Sequence, residues 1–225
     1  MPAKHRIKSY IQGGIYHIYN KGIDGREVFA HDEDFKYFVE LLKKYLRPVE
    51  QKTSLGFKTE KPSIMKHKQK MSLAGEVSLI AYCLMPDHFH LIVNQMDDKG
   101  IVKLMRRVGT AYGMYFNSKY ERSGPLWENV YRAVQVLPGE QLEYLTRYVH
   151  LNPVIRTVRR FGPVETVTGS KPEEYIYSSY SRYLGLNNDN WIKNEYVKMS
   201  KEEYKKFVKD YKTEPADIIK EVKLD

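Results

Sequence analysis

The stretch Tyr82-Cys83-Leu84-Met85-Pro86-Asp87-His88-Phe89-His90-Leu91-Ile92-Val93 decides how this chain is read. Apolar residues on either side predict two strands, and Met85-Pro86-Asp87 predicts the turn between them. Side chains two apart on a strand share a face, so His88 and His90 point the same way. Two neighbouring imidazoles on a rigid strand supply half of a divalent-metal site. A pair of hydrogen-bonded histidines is the plainer reading of the same pattern.

The strands of this hairpin are expected over residues 76–84 and 88–94. Upstream, the β-branched and aromatic run Ile15-Tyr16-His17-Ile18-Tyr19-Asn20 predicts a first strand, followed by turn signals at Gly22 and Asp24-Gly25. A helix is expected over 32–47. Asp32, Glu33 and Asp34 make an acidic first turn, Phe35, Phe38, Val39, Leu42 and Leu46 share a face, and Pro48 stops it. Residues 49–75 carry Lys52, Lys58, Lys61, Lys66, Lys68 and Lys70 and read as an exposed basic loop or long hairpin, touching a phosphate backbone or simply solvated.

Downstream, apolar residues at helical spacing predict a second helix over 98–120, which Gly124-Pro125 ends. Residues 130–137 alternate weakly and predict a strand. A third helix follows Pro138-Gly139 and is expected to close at Pro153. Beyond residue 160 lies an extension with a tyrosine-rich patch over 175–183 and a charged helix over 201–211. The order of the first six elements, strand-helix-strand-strand-helix-strand, is that of an α+β, ferredoxin-like split β-α-β core. It predicts an antiparallel sheet with two helices on one face and the other face left for chemistry. The expected division is a catalytic domain over 1–160 and an extension over 161–225 packed on or flanking it.

Composition narrows the partners. The 225 residues hold 37 Lys+Arg against 28 Asp+Glu, a net charge of +9, which favours a polyanion such as nucleic acid. The 19 tyrosines offer flat faces for bases as well as ordinary core packing. A single cysteine, Cys83, excludes an intramolecular disulfide framework. No apolar run is long enough to span a membrane, and a reducing cytoplasm is the expected location.

In the third helix, Tyr148 and Asn152 are four apart and stand roughly 40° from each other around the axis. Leu142, Leu145 and Val149 form the adjacent docking stripe. Both polar residues therefore flank the docked face. Tyr148 offers a phenolic nucleophile and Asn152 a carbonyl oxygen for a metal. The alternative has Asn152 capping the helix before Pro153 and Tyr148 packing at its edge. His150 lies on a different face of the helix and reads as structural.

Together these segments resemble the HUH single-strand DNA transposases with one catalytic tyrosine, and within them the REP-associated tyrosine transposases. Residues 85–93 resemble the paired-histidine signature, and Tyr148-Val149-His150-Leu151-Asn152-Pro153 the catalytic-helix signature. Segments 16–22, 115–117, 124–128 and 178–180 also match, so the resemblance spans roughly residues 10–185. Departures stand at Ile155 and Val130, where the family often has Arg, and at Tyr177, where it often has Trp.

The resemblance implies cleavage and rejoining of single-stranded DNA. Tyr148 would attack a backbone phosphorus and form a 5′-phosphotyrosine link, which a 3′-hydroxyl reverses without nucleotide triphosphate. It implies a divalent metal, Mg²⁺ or Mn²⁺, on His88, His90 and Asn152, although two imidazoles alone would suit zinc. It implies a single-stranded DNA substrate with hairpin-containing ends, and allows a homodimer or a monomer. Lys103, Arg106, Arg107, Arg132 and Trp127 are candidate DNA contacts. Asp87 and His17 are candidates for orienting the histidine ligands. Two other readings remain: an inactive hairpin or single-strand binding protein derived from such an enzyme, and a zinc hydrolase that would need a further strong ligand.

Overall fold

The computed structural model describes residues 10–48, 71–160 and 171–211. Four strands make one sheet: β1 (Ile15–Lys21), β2 (Val77–Met85), β3 (His88–Gln95) and β4 (Arg132–Val136). Their spatial order is β2-β3-β1-β4, and all three neighbouring pairs are antiparallel. With α1 (Asp32–Leu46) between β1 and β2 and α2 (Gly100–Lys119) between β3 and β4, this is the expected ferredoxin-like core. The lysines singled out over 49–70 lie outside the described residues.

The two faces of the sheet hold separate cores. Tyr16, Ile18, Tyr82, Leu84, Phe89, Leu91 and Val93 pack under α1 and α2. Ile15, Cys83, Met85, Ile92 and Val136 face the other way, toward α3 (Glu140–Arg160) and the C-terminal segment. Period-two alternation produces this sorting in β1 and β3. In β2 it is broken by a bulge: Leu79 pairs with Val93 but Ala81 with Ile92, so Ile80 is an extra residue. Ile80 and Ala81 consequently share the second core, and the faces of β2 exchange parity at that point.

Three expectations are corrected. The third helix does not close at Pro153 but continues to Arg160. Proline's fixed φ is helical, so the chain passes through it while forgoing the N–H donation to the Val149 carbonyl. The fourth strand is shorter than 130–137, because Asn129 and Val130 turn their carbonyls to the Asn20 side-chain amide, at 2.8 and 3.2 Å. The C-terminal segment covers the face expected to be open. Tyr175, Tyr180, Tyr183, Val197, Tyr204 and Val208 share a core with Leu145 and Val149 of α3.

Two helices in this segment are α4 (Tyr180–Tyr183) and α5 (Lys201–Lys209), the latter opened by a Ser200–Glu203 capping box. Arg147 of α3 docks α5. Its guanidinium carbon lies 4.0 Å from the centre of the Phe207 ring, and an N–H donates to the Phe207 carbonyl at 3.1 Å.

Candidate active site

The histidine hairpin is held by backbone bonds from the segment after β1. Val28 and Phe29 N–H both donate to the Pro86 carbonyl, at 2.7 and 2.9 Å, and Gly22 N–H to that of Asp87 at 2.8 Å. Gly22 admits no side chain, since a Cβ there would come within 2.2 Å of the Arg26 carbonyl oxygen. His88 and His90 follow on β3, both fully buried, with ring centres 5.0 Å apart and planes nearly perpendicular.

α3 lies across this face and brings its two polar residues to the pair. Asn152, also buried, sets its Oδ1 3.2 Å from His88 Nε2. The Tyr148 ring meets the His90 ring edge to face at 5.7 Å and is 8% exposed. Tyr148, Asn152, His88 and His90 of one chain are thus gathered in one place.

Each histidine has a further partner on its Nδ1. Asp87 Oδ1 lies 2.5 Å from His88 Nδ1, and His17 Nε2 lies 2.9 Å from His90 Nδ1. With Nδ1 occupied, Nε2 is the nitrogen that each ring could present to a metal. His88 Nε2 and Asn152 Oδ1 already stand at a spacing that adjacent donors on one cation can keep. No group of three or more His, Cys, Asp or Glu among the described residues is arranged to hold a metal. The available set is therefore two imidazoles and one amide oxygen. It fits a weakly held, exchangeable divalent ion and lacks the third strong ligand a zinc hydrolase requires.

His150 plays a structural part. It is buried, with Nδ1 2.7 Å from the Tyr204 hydroxyl and Nε2 2.8 Å from Ser179 Oγ. Burial pushes its pKa down to about 3, so the ring is neutral. It fastens the middle of α3 to the C-terminal segment.

The candidate DNA contacts do not gather at this site. Lys103, Arg106 and Arg107 belong to α2, which packs on the opposite face of the sheet. Lys103 is ion-paired with Glu76 and, at 3.2 Å, with Asp97; Arg107 donates to the Met71 carbonyl at 2.7 Å. Trp127 lies on that face too, its ring 5.2 Å from Phe89 and 5.9 Å from Tyr112. It is half-buried and packs against the aromatic core on that side of the sheet. Arg132 alone shares the histidine face, as the cross-strand partner of Tyr19, which in turn pairs with His90. It is exposed.

Sequence reasoning passed over Tyr19 and Lys21. Both alternate with His17 along β1 and so face the site, and Lys21 pairs directly with His88. The period-two pattern carried that signal once the face of His17 was known. Of the positions where the sequence departs from the resemblance, Val130 is 81% exposed, and Tyr177 stacks on Phe35 with ring centres 4.1 Å apart.

Residues 38–152 match the protein family described as "Transposase IS200 like". A solved structure of a REP-associated tyrosine transposase bound to a REP hairpin aligns over 84% of this chain and 91% of its own, with a TM-score of 0.48 and 13% sequence identity. No curated protein sequence matches the chain.

Proposed function

The chain belongs to the IS200-like transposase family, and from that premise we propose that it cuts and rejoins single-stranded DNA with Tyr148 as the nucleophile. The observation that carries this is the convergence, within one chain, of the Tyr148 ring on His90 and of the Asn152 amide on His88. A protein that only bound DNA would have no need of all four residues together.

In this reading the Tyr148 oxygen bonds to a backbone phosphorus as the bond from phosphorus to the 3′ oxygen breaks. The products are a 5′-phosphotyrosine and a free 3′-hydroxyl. Attack by that hydroxyl, or by one from another strand, restores the phosphodiester and releases the tyrosine. The bond is exchanged and not hydrolysed, so no nucleotide triphosphate is consumed.

His88, His90 and Asn152 would hold a divalent ion, Mg²⁺ or Mn²⁺. Such an ion, when bound, offsets negative charge on the phosphate and on the departing oxygen. Asp87 and His17 fix which nitrogen each imidazole presents. The buried walls around Tyr148 keep water from competing with the phenol. The substrate is a single strand with hairpin-containing ends, as the signature motifs imply. Among the described residues no helix is long and apolar enough to cross a membrane.

The test is incubation of the protein with end-labelled hairpin-bearing single strands and Mg²⁺ or Mn²⁺, followed by denaturing electrophoresis. Wild type gives a protein–DNA adduct and Tyr148→Phe gives none. An undiminished adduct in the Phe variant overturns the assignment.

A further inference from the structure

The two rows of residues on the histidine face differ in how they end. Strand pairing sets Met85, His88 and Lys21 side by side, and Glu128 completes that row. The Glu128 N–H donates to the Lys21 carbonyl at 2.9 Å, next to a bridge between Gly22 and Trp127. An extended segment alternates its side chains, so with Trp127 in the opposite core, Glu128 turns to the side of Lys21. The two side chains form an ion pair at 3.2 Å.

This pair stands at the accessible margin of a buried centre. His88 and His90 expose nothing, whereas the Lys21 and Glu128 side chains are 44% and 36% exposed. Asp87, next to His88 in the chain, is engaged with the imidazole. Neighbouring strands lie about 4.8 Å apart, and a lysine side chain spans more than that. The Lys21 ammonium is therefore long enough to meet a strand that passes over the histidines. An exposed ion pair contributes little to stability, so exchanging its carboxylate for a phosphate costs the fold little.

We propose that Lys21 is a DNA-phosphate contact at the edge of the catalytic centre, and that Glu128 holds its ammonium until a strand displaces the carboxylate. This rests on the transposase reading and adds to it a substrate contact and a competitor for that contact. Phosphate in the strand and carboxylate in the protein then compete for one cation, so the acid sets a threshold that weakly held single strands do not pass.

The experiment is equilibrium binding of a fluorescent hairpin-bearing single strand to the full chain in EDTA, across a series of salt concentrations. Binding is thereby read apart from cleavage. Lys21→Ala is expected to raise Kd about tenfold and to reduce the salt slope by about 0.7, the share of one single-strand phosphate contact. Lys21→Arg keeps the slope. Glu128→Gln lowers Kd several-fold, and most of that gain disappears in the Lys21→Ala background. Lys36→Ala removes an equal charge from α1, on the far face of the sheet, and leaves both quantities as in wild type.

If wild type binds but Lys21→Ala matches it in Kd and slope, the contact is wrong while the transposase reading stands. If Lys36→Ala weakens binding as much as Lys21→Ala does, the effect is one of net charge and the proposal falls. If wild type does not bind single-stranded DNA, the transposase reading itself fails.

Discussion

His17 and His90 lie edge to edge, with ring centres 5.1 Å apart and planes 20° from parallel, and His17 Nε2 meets His90 Nδ1 at 2.9 Å. One imidazole thereby determines the tautomer of the other. Replacing His17 by Phe keeps a ring at that place but removes the nitrogen. The expected result is a 10- to 100-fold loss of Mn²⁺ affinity, the usual scale for removing a partner that orients a ligand. Titration of the DNA-free protein followed by electron paramagnetic resonance measures it. Affinity equal to wild type would show that His90 needs no such support.

Asn152 supplies a neutral oxygen 3.2 Å from His88 Nε2. Changing it to Asp keeps the shape and adds a charge. Mg²⁺ and Mn²⁺ are then expected to bind at least several-fold more tightly, since ligand charge tunes affinity for hard cations. Asn152→Ala is expected to weaken binding. Calorimetric titration of the two variants distinguishes a metal ligand from a residue that only hydrogen-bonds His88, for which neither change would tighten binding.

His150 makes two hydrogen bonds that no solvent can replace. Ser179→Ala and Tyr204→Phe each leave one ring nitrogen of a buried imidazole without its partner. Each is expected to cost about 1–3 kcal/mol in urea unfolding. The two losses should not add, because they act on a single ring.

Asp34 is buried at the start of α1 yet ionised. Burial works against its charge, but hydrogen bonds from Lys119, Tyr120, the His31 N–H and Tyr115 outweigh it and hold the pKa below its ordinary 3.8. The folded protein therefore releases this proton more readily than the unfolded chain does. The resulting stability is fully present above about pH 4, near the unfolded value, and is lost as pH falls through the folded one. Asp34→Asn should be less stable at neutral pH, by about 2 kcal/mol, with a flatter acid limb. Urea unfolding between pH 2.5 and 7 tests this. A parallel pair of curves would mean that Asp34 has the same pKa in both states.

Much of this was legible because it depends on short-range pattern. Period two placed His88 with His90, and helical spacing placed Tyr148 near Asn152, before any contact between strand and helix was known. The order of elements was enough to give the antiparallel sheet. What stayed hidden depends on distant residues. Lys103, Arg106 and Arg107 looked like phosphate ligands, and nothing local reveals that α2 lies across the sheet from the histidines. Nor does local sequence show that Trp127 packs beside Phe89 and Tyr112, on the face away from the histidines. Pro153 reads as a stop in the sequence, whereas its φ suits the helix and it forfeits a single hydrogen bond. The tyrosines of 175–183 carry no periodicity that announces a second core.

The extra residue Ile80 divides β2 into two lengths that answer to different layers. Odd-numbered side chains before it serve the helical side, and odd-numbered ones after it serve the histidine side. A map of tolerated polar substitutions along this strand should therefore lose step midway, and deleting this one residue would restore unbroken alternation, with Leu79 opposite Val93 and Ala81 opposite Ile92, at the cost of one buried side chain on the histidine side. A single surplus amino acid thus thickens the layer behind the reactive centre while both neighbouring lengths of strand keep their sides.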